Sequence, residues 1–333
     1  MKKALSVIAL AGLCCSASAV TRVGIIGLDT SHSPKFAALL NGEDRIPEAK
    51  DFRVTVAYPW GSRTIKSSYE RIPKYTEDVK KLGVKIVDSI PALLAECDCV
   101  LLETNDGRDH LAQAIEVFKA GKPVFIDKPL AASLKDCVAI VEAGKKYNAK
   151  WFTASGLRYL TGVQAARRGE YGKLRGIATT SPESYEPTHS LFYWYAIHGA
   201  EPVFAALGRG CETVCCLTSD DGDVIIGKWA DGKLSSQRAL QFDKKGSDGT
   251  YAGIIYTEQG AKDVGTREGY TPLVVRILDF YRTGVAPVDP EETLEIFAYM
   301  EAAAESRAKG GAPVSLKEVL AAAGMKPAAG EAK

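Results

Sequence analysis

The stretch Arg22–Phe36, RVGIIGLDTSHSPKF, constrains the fold of this chain more than any other. An apolar run from Val23 to Leu28 leads into a tight turn, and a helix-compatible stretch follows. A buried strand feeding a helix N-terminus has this form, and in nucleotide-binding sheets the turn reads G-x-G-x-x-G. With Gly27 as the first glycine, the second position holds Asp29 and the third His32. The missing second glycine is the one that lets a pyrophosphate approach the backbone at the helix N-terminus. Asp29 adds a side chain and a negative charge beside where two phosphates would sit. The turn predicts a dinucleotide fold and opposes ordinary dinucleotide binding.

The pattern that follows is regular as far as Ala154. Predicted strands are Val23–Gly27, Arg53–Tyr58, Val84–Asp88, Cys99–Glu103, Pro123–Ile126 and Lys150–Ala154. Predicted helices are Pro34–Leu40, Ile90–Ala95, Asp109–Ala120 and Leu134–Tyr147, the last capped by Ser133. Alternation of this kind predicts an α/β domain, a doubly wound parallel sheet with its ligand crevice at the carboxyl ends of the strands. After about Gly156, strands at Leu174–Thr180, Glu212–Leu217, Val224–Trp229, Leu234–Leu240 and Tyr251–Ile255 lack regular intervening helices. This part predicts an α+β domain on an open, mainly antiparallel sheet, with Asp231-Gly232 as a type I′ hairpin turn. A helix returns at Glu291–Lys309, between Pro290 and Gly310.

The resulting organisation is a leader at 1–19, a nucleotide-binding-like domain at 20–155, a second domain at 156–320 and a frayed tail at 321–333. For the leader, Lys2 and Lys3 precede an apolar run to Leu13, and Ala17-Ser18-Ala19 is a small-x-small cleavage site. The run is shorter than the roughly 20 residues of a membrane span. Without a twin arginine, the expectation is general secretory export to the periplasm; Leu13 makes lipid anchoring at Cys14 the lesser reading. A formal net charge of +1 over 333 residues, with no basic block, gives no reason to expect nucleic acid. The six cysteines after the leader lack metal-ligand spacing, so buried free thiols and no metal site are expected.

Three further motifs fall at strand ends: Glu103-Thr104-Asn105-Asp106-Gly107-Arg108-Asp109-His110, then Asp127-Lys128-Pro129, then Leu191 to Glu201 with Tyr193-Trp194-Tyr195-Ala196-Ile197-His198. In this order, with Arg158-Tyr159 and the Gly169…Gly172 turn, they resemble the glucose–fructose oxidoreductase, inositol dehydrogenase and rhizopine-catabolism (Gfo/Idh/MocA) family. The resemblance covers essentially the whole chain after the leader. It implies an N-terminal Rossmann domain, a C-terminal open-sheet domain, sugar or cyclitol chemistry with NAD or NADP, and a dimer or tetramer.

Lys128 takes the place of the lysine in the family's Glu-Lys-Pro motif, with Asp127 in place of the glutamate. A lysine there can hydrogen-bond a carbinol or carbonyl oxygen and move its proton as hydride transfers at the adjacent carbon. His198 matches the histidine of the family's Asp-x-Gly-x-His segment, a base or orienter, although Trp194 and Ala196 replace the aspartate and glycine. Trp194 suits stacking on a sugar face. Arg158, Tyr159, His189 and Glu201 are further expected pocket residues, Glu201 sharing a helix face with His198.

The cofactor side is implied to comprise Gly27, Asp29, Thr30, Ser31, His32, Thr104, Asn105, His110 and Asp127. Strand two ends Tyr58-Pro59-Trp60-Gly61-Ser62-Arg63 without the acid that usually accepts a ribose 2′-hydroxyl. Ser62 and Arg63 suit a 2′-phosphate, which favours NADP; a plain loop cation is the alternative for Arg63. Three readings remain open at this level. One is an NAD(P)-dependent oxidoreductase acting on a small carbohydrate. The second is a glycoside lyase or hydrolase working through transient 3-keto oxidation with recycled, tightly bound cofactor. The third is a sugar-binding protein without turnover.

Overall fold

A computed structural model describes residues 20–43, 45–241 and 250–325; the leader and the last eight residues of the tail lie outside the described residues. Six strands come first: β1 (Thr21–Ile26), β2 (Phe52–Tyr58), β3 (Lys85–Ile86), β4 (Cys99–Leu102), β5 (Val124–Ile126) and β6 (Trp151–Phe152). They form one parallel sheet in the order β3-β2-β1-β4-β5-β6. Helices α1 (His32–Asn41), α2 (Lys66–Tyr69), α3 (Ile72–Lys81), α4 (Ile90–Glu96), α5 (Gly107–Lys119) and α6 (Leu134–Lys146) connect them. β4 and β5 are buried on both faces, which is why they read as unbroken apolar runs. The strand order reverses between β1 and β4, and this switch point sets the crevice.

Short polar caps fix where the covering helices start. Ser133 Oγ accepts the Asp136 N–H at 3.1 Å, and Asp106 accepts the Arg108 N–H at 3.1 Å. The cap at Asp106 begins α5 two residues earlier than the predicted Asp109. The expected strand Val84–Asp88 shrinks to a two-residue ladder in which Lys85 and Ile86 pair with Val56 and Ala57 of β2, extended by the Val87 N–H to the Ala57 C=O at 3.0 Å.

The second sheet contains β7 (Leu174–Pro182), β8 (Cys211–Ser219), β9 (Gly222–Trp229), β10 (Leu234–Leu240), β11 (Ala252–Thr257), β12 (Gly260–Asp263) and β13 (Val314–Ser315). Its order is β12-β11-β7-β10-β9-β8-β13, antiparallel except where β7 runs parallel to β10. The remaining helices are α7 (Thr161–Arg167), α8 (Ile197–Leu207), α9 (Thr271–Thr283), α10 (Pro290–Ala308) and α11 (Leu316–Ala322). α11 carries regular structure to Ala322, past the predicted domain end at 320.

Two details correct the sequence reading. Asp231-Gly232 does turn the chain between β9 and β10, but only Gly232 has positive φ (+86°), so the turn is not type I′. Gly232 N–H bonds to Trp229 C=O at 3.0 Å, and the left-handed glycine supplies the strand twist as a bulge. In addition α9, which the sequence reading left unassigned, returns to the first sheet. Its Leu273, Val274, Ile277, Leu278 and Phe280 join Phe36, Phe125 and Phe152 in one core, with Phe152 and Phe280 rings 5.1 Å apart. The two parts of the chain thus share a hydrophobic seam. The six cysteines of the described residues are free; five are buried and Cys215 is half-buried. No helix among the described residues is long and apolar enough to cross a membrane.

Candidate active site

A cavity of about 300 Å³ opens between the carboxyl ends of the first sheet and the second domain. Of the residues singled out in the sequence, Thr30, Ser31, His32, Asn105, Lys128, Trp194 and His198 line it. Lys128 arrives on the loop after β5, ahead of a cis bond to Pro129, with Nζ 5.7 Å from the centre of the Tyr195 ring. His198 comes from the first turn of α8. Its Nδ1 lies 2.7 Å from Ser155 Oγ, and Tyr195 and Tyr251 meet its ring edge-on at 5.7 Å. Burial, followed by the positive charges of Lys128, His32 and Arg267, pushes the His198 pKa well below the usual histidine range. A neutral imidazole beside an ammonium group is an arrangement suited to moving protons. To serve as a base at Nε2, the ring must carry its hydrogen on Nδ1 and donate it to Ser155.

Behind the wall lies a chain of buried acids. His32 Nδ1 is 2.7 Å from Asp127 Oδ2 and 3.9 Å from Glu103 Oε2. Asp127 therefore holds His32 at the base of the cavity wall. Burial opposes ionisation of Asp127, but His32 and Lys128 outweigh it and lower its pKa. Glu103 goes the other way: burial and the neighbouring Asp127 charge push it well up, and neither of its oxygens has a hydrogen-bond partner among the described residues.

Several expected site residues serve other purposes. Asp29 is turned into the protein, where it accepts the N–H groups of Ser62 (3.1 Å) and Asn105 (2.9 Å) and the Ser68 hydroxyl. Ser62 is buried and donates Oγ–H to Asp106 at 2.7 Å, so it is not open to a 2′-phosphate. Arg63 stacks 4.9 Å over Trp60, whose indole N–H reaches Asp109 at 2.7 Å. Thr104 packs its backbone against Gly27, where a Cβ would come within 2.4 Å of Thr104 N, so Gly27 serves this close approach with φ at +94°. His110 is fully buried between the carbonyls of Thr104 (2.6 Å) and Leu130 (3.0 Å) and pins two loops together.

The expected substrate residues divide in the same way. Arg158 is buried between Glu201 (2.9 Å) and Glu292, an ion-pair cluster joining α8 and α10. Burial works to lower its pKa, and the two carboxylates more than reverse that. Glu201 does not touch His198 directly; both grip Ser155, Glu201 through the Ser155 N–H at 3.0 Å. Tyr159 lines a different surface hollow with Thr161 and Arg276. His189 accepts the Gly107 N–H at 3.0 Å, packs 5.0 Å from Trp194, and is pushed down to about 4 by burial. It is a neutral helix cap. The sequence reading missed Arg71, Tyr75, Tyr195, Tyr251, Arg267 and Tyr270 on the cavity wall. Tyr195 lay inside a motif already singled out, whereas the others reach the site only through tertiary folding.

A nicotinamide dinucleotide fits this arrangement at one end. The redox end matches a polar cavity reaching from the start of α1 to Lys128 and His198. At the adenosine end the crevice between the β2 and β4 loops is filled by Asp29, Ser62 and Asp106, all at most 2% exposed. The 59–71 connection closes this end, its Ser62 N–H and Ser68 hydroxyl both donated to Asp29.

Fold and site together define a two-domain protein built on a Rossmann sheet, with a lysine and a neutral histidine at the domain junction. Residues 21–155 match the model of the Gfo/Idh/MocA family, described as the oxidoreductase family with NAD-binding Rossmann fold. The chain is 30% identical over 128 residues to inositol 2-dehydrogenase 3 of Saccharopolyspora erythraea, covering 37% of this chain and 32% of that protein. It is 33% identical over 84 residues to the 2,7-anhydro-N-acetylneuraminate hydratase of Escherichia coli, covering 25% and 22%. The chain thus spans about a third or less of the length of the curated relatives it matches. The fold is similar over 89% of the chain to myo-inositol dehydrogenase from Lactobacillus casei, solved with NAD(H) and myo-inositol; that match covers 96% of the neighbour, with TM-score 0.68 and 15% identity. An oxidoreductase from Agrobacterium radiobacter, solved with NAD+, L-tartaric acid and magnesium, matches over 90% of this chain and 99% of its own, with TM-score 0.70 and 16% identity.

Proposed function

We propose that this protein is an NAD(P)-dependent oxidoreductase acting on a sugar or cyclitol. The observation that carries the reading is the pairing of Lys128 and neutral His198 on one cavity whose walls also hold Trp194, Tyr195 and Tyr251. The family and the inositol dehydrogenases among its relatives support the same class. NAD(P), when bound, supplies the hydride acceptor or donor. Thr30, Ser31, His32 and Asn105 would hold its side of the cavity. Lys128 hydrogen-bonds the reacting oxygen and moves its proton, while His198, oriented by Ser155, takes a hydroxyl proton or fixes the substrate. The aromatic walls offer stacking surfaces to the apolar face of a sugar ring.

The filled adenosine crevice favours a second reading, in which cofactor stays in place and is recycled within each turnover. Transient oxidation at a sugar C3 acidifies the C2 hydrogen, allows elimination across C1–C2 and ends with re-reduction. Export by the leader at 1–19 belongs to the same proposal, since free nicotinamide cofactor is scarce outside the cytoplasm. Assembly as a dimer or tetramer is also proposed, through the outer face of the second sheet. Leu217, Ile226, Leu234, Ile254 and Tyr256 are exposed on that sheet.

The test is incubation of the purified protein with NAD(P)+ and a panel of sugars, cyclitols and glycosides. Net NAD(P)H supports the first reading, aglycone release without it the second, and neither outcome with any compound overturns both. Lys128→Ala is expected to lower either activity by about 100-fold or more.

A further inference from the structure

We infer that the cavity is built for an anionic polyol, a sugar or cyclitol bearing a carboxylate or phosphate that seats on Arg267 and Arg71. This deepens the oxidoreductase reading and rests on it for placing the reacting carbon at Lys128.

The argument begins with the walls. Arg71, Lys128 and Arg267 line the cavity, and among the described residues that line it none is a carboxylate. The acids directly behind this wall are engaged or neutral. Asp29 accepts three hydrogen bonds, Asp127 holds His32, and Glu103 is buried where ionisation is opposed. A neutral sugar would leave Arg71 and Arg267 without an anionic partner among the described lining residues.

Arg267 is also fixed in place. Its guanidinium sits 4.8 Å over the Tyr270 ring, and Tyr270 meets His32 edge-on at 4.8 Å. Stacking of this kind holds the guanidinium plane and leaves its N–H groups available, the geometry that suits a two-oxygen anion. Neither Arg267 nor Arg71 forms an ion pair or side-chain hydrogen bond among the described residues. They approach from the two halves of the fold, Arg71 immediately before α3 and Arg267 before α9. An anion held between them would also bridge the domains.

The experiment is calorimetric titration of the full chain, with and without NAD(P), using matched pairs. These are glucose against glucuronate and glucose 6-phosphate, and myo-inositol against its monophosphate. The charged member is expected to bind about 10- to 100-fold more tightly. The gap should narrow in high salt and disappear in Arg267→Gln, partly return in Arg267→Lys, and leave NAD(P) affinity unchanged. The carboxylate and phosphate arms tell the two anions apart. Equal or tighter binding of the neutral members overturns the inference, as does an Arg267→Gln effect on NAD(P) affinity alone, which would assign the cations to cofactor phosphates. Failure of every compound to bind also overturns it. Tight binding of an acid with no NAD(P)H formed keeps this inference and removes the oxidoreductase reading. Turnover of neutral sugars in preference to acids does the reverse.

Discussion

The Asp29 carboxylate accepts the backbone N–H of Asn105 at 2.9 Å, tying the turn after β1 to the loop after β4. The same side chain takes the Ser62 N–H, so one acid bridges the three loops across which a dinucleotide lies in this fold. Asp29→Gly restores the second glycine of the turn and removes the bridge. The expected result is tighter or faster NAD(P) binding, by about tenfold, together with a lower melting temperature from the lost buried hydrogen bonds. Unchanged cofactor binding in a folded variant would show that the bridge does not control entry.

His198 ties the site to pH. Its folded-state pKa lies below the unfolded value of about 6.5, so the native protein binds fewer protons than the unfolded chain as pH falls through that value. Its contribution to stability is therefore intact above about pH 6.5 and declines on acidification. For activity, the acid limb attributable to His198 should lie below the ordinary histidine range. Ser155→Ala should lower kcat more than it raises KM and distort that limb, because Ser155 fixes the ring tautomer. An unaltered profile would leave Ser155 with a structural role only.

Arg158 supplies a stability test. Truncation to Met leaves Glu201 and Glu292 facing each other without their cation, a loss of about 3–5 kcal/mol in chemical denaturation. Substrate KM, measured where the variant stays folded, should barely move. A raised KM at full stability would return Arg158 to the substrate pocket.

Glu103 should behave in the opposite sense. Its pKa is raised by burial and by Asp127, so keeping it ionised opposes folding above its unfolded pKa and not below it. Glu103→Met should therefore raise stability by about 1–3 kcal/mol near neutral pH, with the gain fading toward pH ~4. Equal melting temperatures for both proteins across that range would mean that Glu103 has a partner when folded in solution.

Much of the architecture was legible in the residues themselves. β4 and β5 reveal themselves as apolar runs, and Ser133 announces α6. Lys128 and His198 stood out because they sit in ordered motifs near strand and helix ends. Local pattern said nothing of α9, whose apolar face has meaning only against the distant first sheet. Nor could it separate Arg158 from Lys128, since both are basic residues near strand ends, and only burial between two glutamates marks one as a scaffold.

Within Gly27-Leu28-Asp29-Thr30-Ser31-His32 the same division holds. Sequence by itself determined the strand and the turn, because these depend on hydrophobic periodicity and on a glycine where the backbone nears Thr104. Tertiary structure decided the direction of each polar side chain, sending Asp29 inward and leaving Thr30, Ser31 and His32 on the cavity wall. The physical reason is that a polar group's role depends on the partners and burial it meets, and those come from residues far away along the chain.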